Sequence, residues 1–165
     1  MDVNTMKALV GLGAFAAFGC AATGSAIGCG KAAASAIGSW KRCYAQGKPA
    51  PFQLTIFSGV AMTQTIYGLI LMLQILKMHA GLWPAALACG LLGGIGIGYS
   101  AAYQGRAAAG ACDAFSETNK GFVNNLIALG VVETIAIFTM VFAMLFISSL
   151  NSSLGETAAE AVSML

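Results

Sequence analysis

Residues 30–34 read Gly30-Lys31-Ala32-Ala33-Ala34, and residues 105–109 read Gly105-Arg106-Ala107-Ala108-Ala109, the same pattern 75 positions on. Self-similarity of this kind means that one structural unit is used twice, so it constrains the architecture before any single helix is assigned. A second pair, Gln64-Thr65-Ile66 and Glu133-Thr134-Ile135, is offset by 69, so the halves differ by six residues in the loop that joins their two helices. Each half opens with a run of small residues, Gly24-Ser25-Ala26-Ile27-Gly28 in one and Gly90-Leu91-Leu92-Gly93-Gly94-Ile95-Gly96-Ile97-Gly98 in the other. Each closes with a run rich in Leu, Ile, Met and Phe. The halves therefore read as two helical hairpins.

Working outward from the repeat, the chain is 58% apolar and 8% charged, against roughly 25% charged residues in a soluble domain. That composition belongs in lipid. A spanning helix needs about 20 mostly apolar residues, and four stretches qualify, at about 8–44, 52–78, 82–114 and 121–150. The expected fold is an all-α membrane protein of four transmembrane helices. Residues 1–80 form the first hairpin, 81–150 the second, and 151–165 a polar, exposed C-terminal tail holding Gly155, Glu156 and Glu160. The first stretch, with Lys7 ahead of it, has the look of a cleaved signal segment, but the repeat includes it, so it is kept in the mature chain. Small faces pack where backbones crowd, which places the first and third helices on the inner wall of a ring and the bulky second and fourth outside. GxxxG pairing within a single chain is the plainer reading of the same glycines.

The eight Lys and Arg and six Asp and Glu are scattered, which gives no footprint for nucleic acid. Lys41, Arg42 and Lys48 lie in the first connection and Arg106, Asp113, Glu117 and Lys120 in the second, so the positive-inside rule puts both on the cytoplasmic side and both termini outside. His79 sits in a tight outer turn with Gly81 and Pro84 and reads as a wet loop residue. The five Cys are odd in number and lack CxxC spacing, so they read as small packing residues.

Asp2, Asp113, Glu117, Glu156 and Glu160 are expected in loops or tails, which leaves Glu133 as the one acid within a span. Burying an ionised acid at the bilayer centre costs on the order of 2.5 to 3.5 kcal/mol, so such a carboxylate is read first as functional. Gln64 is level with it, twelve residues beyond Phe52 as Glu133 is twelve beyond Gly121, about 18 Å along a helix. Thr63, Gln64 and Tyr67 share one helix face. Gln104, about eight residues before an expected helix end near Cys112, falls within roughly a turn of the same depth. The set offers oxygen ligands only, which suits a hard cation rather than zinc or copper. A bare proton carrier needs only Glu133.

Thr63-Gln64-Thr65-Ile66-Tyr67, Tyr103-Gln104-Gly105-Arg106 and Val132-Glu133-Thr134 together resemble the motifs of the duplicated proteolipid of V-type and archaeal-type ATPases, in particular the sodium-carrying K subunits of bacterial enzymes. The resemblance covers Met6 to Leu150. It implies that Na+ is held by Glu133, Gln64, Gln104, the Thr63 hydroxyl and the Val60 backbone carbonyl, with Tyr67 hydrogen-bonded to the acid. Val60 where Leu is frequent, Arg106 in place of Lys, and the tail after Leu150 depart from the family pattern.

The same resemblance implies a ring of identical copies in the lipid of a cell membrane, turning against a stator subunit that bears an arginine. A central stalk would link the ring to a soluble head that hydrolyses ATP. There is no GxxxxGK[ST] motif, so no catalysis is expected of this chain itself. The rival readings are a proton-carrying rotor of the same family, a stand-alone small membrane transporter with Glu133 as its coupling acid, and a purely structural membrane-interaction protein.

Overall fold

The computed structural model describes the backbone of residues 1–163 and the side chains of residues 1–154. In chain order the helices are α1 (Val3–Ala45), α2 (Gln53–Gly59), α3 (Thr63–Ile75), α4 (Trp83–Thr118) and α5 (Phe122–Ser163), with short 3-10 turns at Val60–Met62 and Ala80–Leu82. Four helical segments, Val3–Ala45, Gln53–Ile75, Ala80–Thr118 and Phe122–Leu154, are long and apolar enough to cross a membrane. The fold is all-α, and no strand occurs among the described residues.

The helix ends follow from local chemistry. Asp2 caps α1, its Oδ1 accepting from the Thr5 backbone N–H at 2.6 Å, which satisfies one of the orphan donors of the first turn. α4 ends on Asn119, in the left-handed region at φ 52°, a conformation Asn tolerates better than most side chains. Gly121 at φ 77° completes the turn, so only Asn119, Lys120 and Gly121 separate α4 from α5. At the opposite end, the His79 ring accepts from the Gly81 backbone N–H at 3.1 Å. That exposed histidine caps a turn.

Glycine lets α1 and α4 touch backbone to backbone. A Cβ added at Gly24 would lie 2.0 Å from the Gly98 carbonyl oxygen, and one at Gly105 would lie 2.1 Å from that of Gly28. Gly13 meets Gly90 in the same way, and because the numbers rise together the two helices run parallel. Towards their C-terminal ends Ser35 donates to the Ala109 carbonyl at 2.7 Å, and Arg42 pairs with Asp113 and Glu117. These contacts join positions separated by about the repeat offset, as expected when two like hairpins stand side by side about an axis along the helices.

α5 packs on α4 and α3. Two apolar clusters fill the interior, one around Val10, Leu71, Ile75 and Ile97 and one around Leu54, Phe57, Phe115 and Leu129. Buried Ser25, Gln64, Ser100 and Gln104 occupy the level between them. The site therefore lies at mid-height. All five cysteines are free, and Cys43, Cys89 and Cys112 are buried.

Several expected boundaries move. The third span continues through Asp113 and Glu117 to Thr118, because the Ala-rich stretch after Arg106 favours helix and Arg42 holds the two acids against α1. Asp113 and Glu117 are thus helical, not loop residues, and the helix ends beyond Cys112. The second span is broken by the 3-10 turn at Val60–Met62 and stops at Ile75. Residues 151–163 do not form a separate tail. They extend α5, with Ser152 and Ser153 bonding back to the carbonyls of Ser148 and Leu150 at 3.0 Å each, and no proline intervenes to stop the helix. The exposure expected of Gly155, Glu156 and Glu160 lies outside what is described, as do Met164 and Leu165 altogether.

Candidate cation site

The site begins where the second span changes pitch. A 3-10 turn inside a longer helix disturbs the regular ladder of hydrogen bonds, and here it ends immediately before Thr63. The Thr63 hydroxyl then lies 3.2 Å from the Val60 carbonyl oxygen, 3.2 Å from Gln64 Oε1 and 2.6 Å from Glu133 Oε1. A hydroxyl has one proton to give, and the shortest contact, to Glu133, claims it. The oxygens of Val60 and Gln64 therefore face the lone pairs of Thr63 with no hydrogen between. Four oxygens from Val60, Thr63, Gln64 and Glu133 converge.

Around them the amides hold one another. Gln64 and Gln104 are 0% and 1% exposed, and a buried amide left unpaired costs about 1–3 kcal/mol. Gln64 Nε2 donates to Gln104 Oε1 at 2.6 Å. Gln104 Nε2 donates to the Leu129 carbonyl at 3.1 Å and to Glu133 Oε2 at 3.3 Å. This arrangement leaves Gln64 Oε1 turned towards Thr63 as an acceptor. Tyr67 donates its phenol to Glu133 Oε1 at 2.8 Å, so three donors from three positions meet the carboxylate.

All six sequence candidates, Val60, Thr63, Gln64, Tyr67, Gln104 and Glu133, are thus brought together, drawn from the second span, α4 and α5. Level placement explains it: Gln64 and Glu133 each stand eleven residues from the first residue of their segments, Gln53 and Phe122. Two participants escaped the sequence. Ser100 donates to the Val132 carbonyl at 2.8 Å, and the Leu129 carbonyl receives Gln104. The spacing of Ser100 and Gln104, one helical turn, was the available signal for the first. A backbone carbonyl leaves none for the second.

Chemically, the cage presents oxygen ligands with one carboxylate. Among the described residues no three His, Cys, Asp or Glu side chains come together, so a single negative charge is set against whatever binds. A monovalent cation or a proton balances that charge.

Comparison with known proteins bears on part of the chain. Residues 87–146 match the family model of the ATP synthase C subunit. The matched segment is the second hairpin, from α4 through most of α5, and it includes Gln104 and Glu133. The match covers 60 of the chain's 165 residues and supports a proteolipid of that type in the second hairpin. The protein is an integral, multi-pass membrane protein. Thr63, Gln64 and Tyr67, in the first hairpin, lie outside the match. No curated protein sequence matches the chain.

Proposed function

We propose that the protein is the duplicated rotor proteolipid of a V-type ATPase and that each copy carries one Na+ on Glu133. The observation that supports this reading is that the Val60, Gln64 and Glu133 oxygens all lie 2.6–3.2 Å from the Thr63 hydroxyl oxygen, which has a single proton to give. Hard cations take oxygen ligands at roughly 2.3–2.6 Å in calcium sites, and ligands at right angles at that radius stand about 3.2–3.7 Å apart. Separations of 3.2 Å fit that spacing, and the 2.6 Å contact between Thr63 and Glu133 would lengthen as an ion entered.

With a monovalent cation on ionised Glu133 the site is neutral and crosses a lipid-facing wall at little cost. Empty and charged, it is held back by the cost of moving a bare charge into hydrocarbon. Occupancy then gates rotation of a ring of copies against a stator subunit whose arginine displaces the ion. ATP hydrolysis belongs to a soluble head, reached through a central stalk, because this chain has no phosphate-binding loop. The first and third helices line the ring's inner wall, the connections at 46–52 and 119–121 face the cytoplasm, and the ring sits in the plasma membrane if the host is bacterial.

A proton-carrying rotor is the second reading, supported by the hydrogen bonds that Thr63, Tyr67 and Gln104 donate to Glu133. The test is carbodiimide labelling of Glu133 in the purified ring against sodium concentration, at a pH high enough to limit protonation, with Glu133→Gln as blank. Protection by millimolar or lower sodium is expected. Labelling indifferent to sodium but suppressed as pH rises would overturn the sodium reading in favour of the proton.

A further inference from the structure

We infer that Ser100 is a positioning residue for Glu133, acting through the backbone of α5 and not through the carboxylate. The inference rests on the reading of Glu133 as the ion carrier.

α5 is held loosely. Over its most apolar stretch only 11% is buried, against 39% for α1. Within Phe122–Leu150 the side-chain hydrogen bonds that tie it to other helices all fall between Leu129 and Glu133. Three of these involve the Glu133 carboxylate itself, and a bond that must break when the ion is exchanged cannot fix the helix through the cycle. The other two grip carbonyls. Ser100 donates to Val132 at 2.8 Å and Gln104 to Leu129 at 3.1 Å.

Ser100 and Gln104 are one turn apart on α4, and Leu129 and Val132 lie three residues apart on α5, so the two bonds form a clamp across the interface. Gly96, a further turn back along α4, lets Thr139 approach, since a Cβ there would stand 3.0 Å from Thr139 Cγ2. Gln104 divides its amide between the clamp and the carboxylate. Ser100 belongs to the clamp alone. By fixing the carbonyl of the residue just before Glu133, it sets the direction in which the acid leaves the helix.

The repeat supplies an internal control. Ser25 stands 75 positions before Ser100, is equally buried at 4% against 5% exposed, and its hydroxyl has no hydrogen-bond partner. A serine at this point in the hairpin therefore packs without gripping the neighbouring helix. Only in the half that bears the acid does it reach across.

The test compares Ser100→Ala, Ser100→Thr and Ser25→Ala in the assembled ring, reading the sodium midpoint for protection of Glu133 and the particle size. A net neutral hydrogen bond moves an equilibrium by about two- to tenfold. Ser100→Ala is expected to raise the sodium midpoint by that factor with the ring intact. Ser100→Thr is expected to restore it, and Ser25→Ala to leave it in place. An unchanged midpoint in Ser100→Ala, or an equal shift in Ser25→Ala, would overturn the inference while leaving the rotor reading standing. If the wild-type ring shows no sodium protection, the sodium reading fails, and Ser100 is read on the pH midpoint of labelling. A shift in Ser100→Ala alone then supports the inference, and no shift overturns it.

Discussion

Replacing Thr63 by Val removes one oxygen from the centre of the cage while keeping the shape of the side chain. The hydroxyl lies 2.6 Å from Glu133 Oε1 and 3.2 Å from both the Val60 carbonyl and Gln64 Oε1. Hydrogen bonds to charged groups contribute about 1.5–3 kcal/mol, and a ligand oxygen facing a cation at this range is of the same order. At about 1.4 kcal/mol per decade, the sodium midpoint for protection of Glu133 rises roughly tenfold to a hundredfold. Glu133 keeps Tyr67 and Gln104 as donors, so the carboxylate stays in place and labels normally without sodium. Thr63→Ser, which retains the oxygen, stays within a few-fold of wild type. The measurement is the labelling rate of Glu133 against sodium concentration in the three proteins. A Thr63→Val midpoint within twofold of wild type would refute the reasoning, because it would mean that the hydroxyl faces no ion.

Two further outcomes follow from other parts of the fold. Gly105→Ala puts a methyl group 2.1 Å from the Gly28 carbonyl oxygen, and forcing extra volume into a close contact typically costs about 1–3 kcal/mol. The variant is expected to lower the thermal midpoint and shrink the solubilised particle, whereas Gly110→Ala, with nothing within 4 Å, is tolerated. Equal behaviour of the two would contradict the backbone contact between α1 and α4. At the start of α1, hydrogen bonding from Thr5 holds the Asp2 carboxyl below its ordinary value of 3.8. A depressed carboxyl stabilises the cap above its unfolded value and loses that contribution as pH falls through the lowered one. Asp2→Ala should therefore speed amide exchange at Thr5 relative to wild type at neutral pH, and the difference should vanish in strong acid. A difference that persists there would place the cap elsewhere.

How much of this was legible in the sequence depended on whether a feature has a local signature. The duplicated motifs at Gly30 and Gly105, together with apolar length, were enough for four helices in two hairpins. Glu133 stood out because an acid within a span is costly, and its neighbours stood out because Thr63, Gln64 and Tyr67 share a face. What escaped depends on contacts between distant residues. α4 runs past Cys112 to Thr118, where Arg42 of α1 meets Asp113 and Glu117, and charged residues alone read as loop. The 3-10 turn at Val60–Met62 has no side-chain pattern of its own. Ser100 left only its one-turn spacing from Gln104 as a signal, because its partner is a carbonyl, which every residue has.

The duplication itself has a physical consequence at Gln64. Repeat alignment sets this residue opposite Glu133, so a simple copy of the second half would put a second acid there. Gln64 Oε1 lies 3.2 Å from the Thr63 hydroxyl, which is 2.6 Å from the Glu133 carboxylate. Two carboxylates around one hydroxyl would raise each other's proton affinity, and one would hold a proton in place of an ion. The amide avoids that conflict. It keeps a neutral oxygen facing Thr63 and uses its N–H to lock Gln104, which in turn reaches Glu133. On the proposed reading, one charge per four helices follows directly from this geometry. Moving an ion against 100 mV costs about 2.3 kcal/mol, so a ring that loads one ion per duplicated unit does less work per turn against the gradient than a ring of single hairpins with the same helix count. On the same reading, that lower load per turn suits a rotor driven by ATP to pump, and it traces to an amide at position 64 where the other repeat holds an acid.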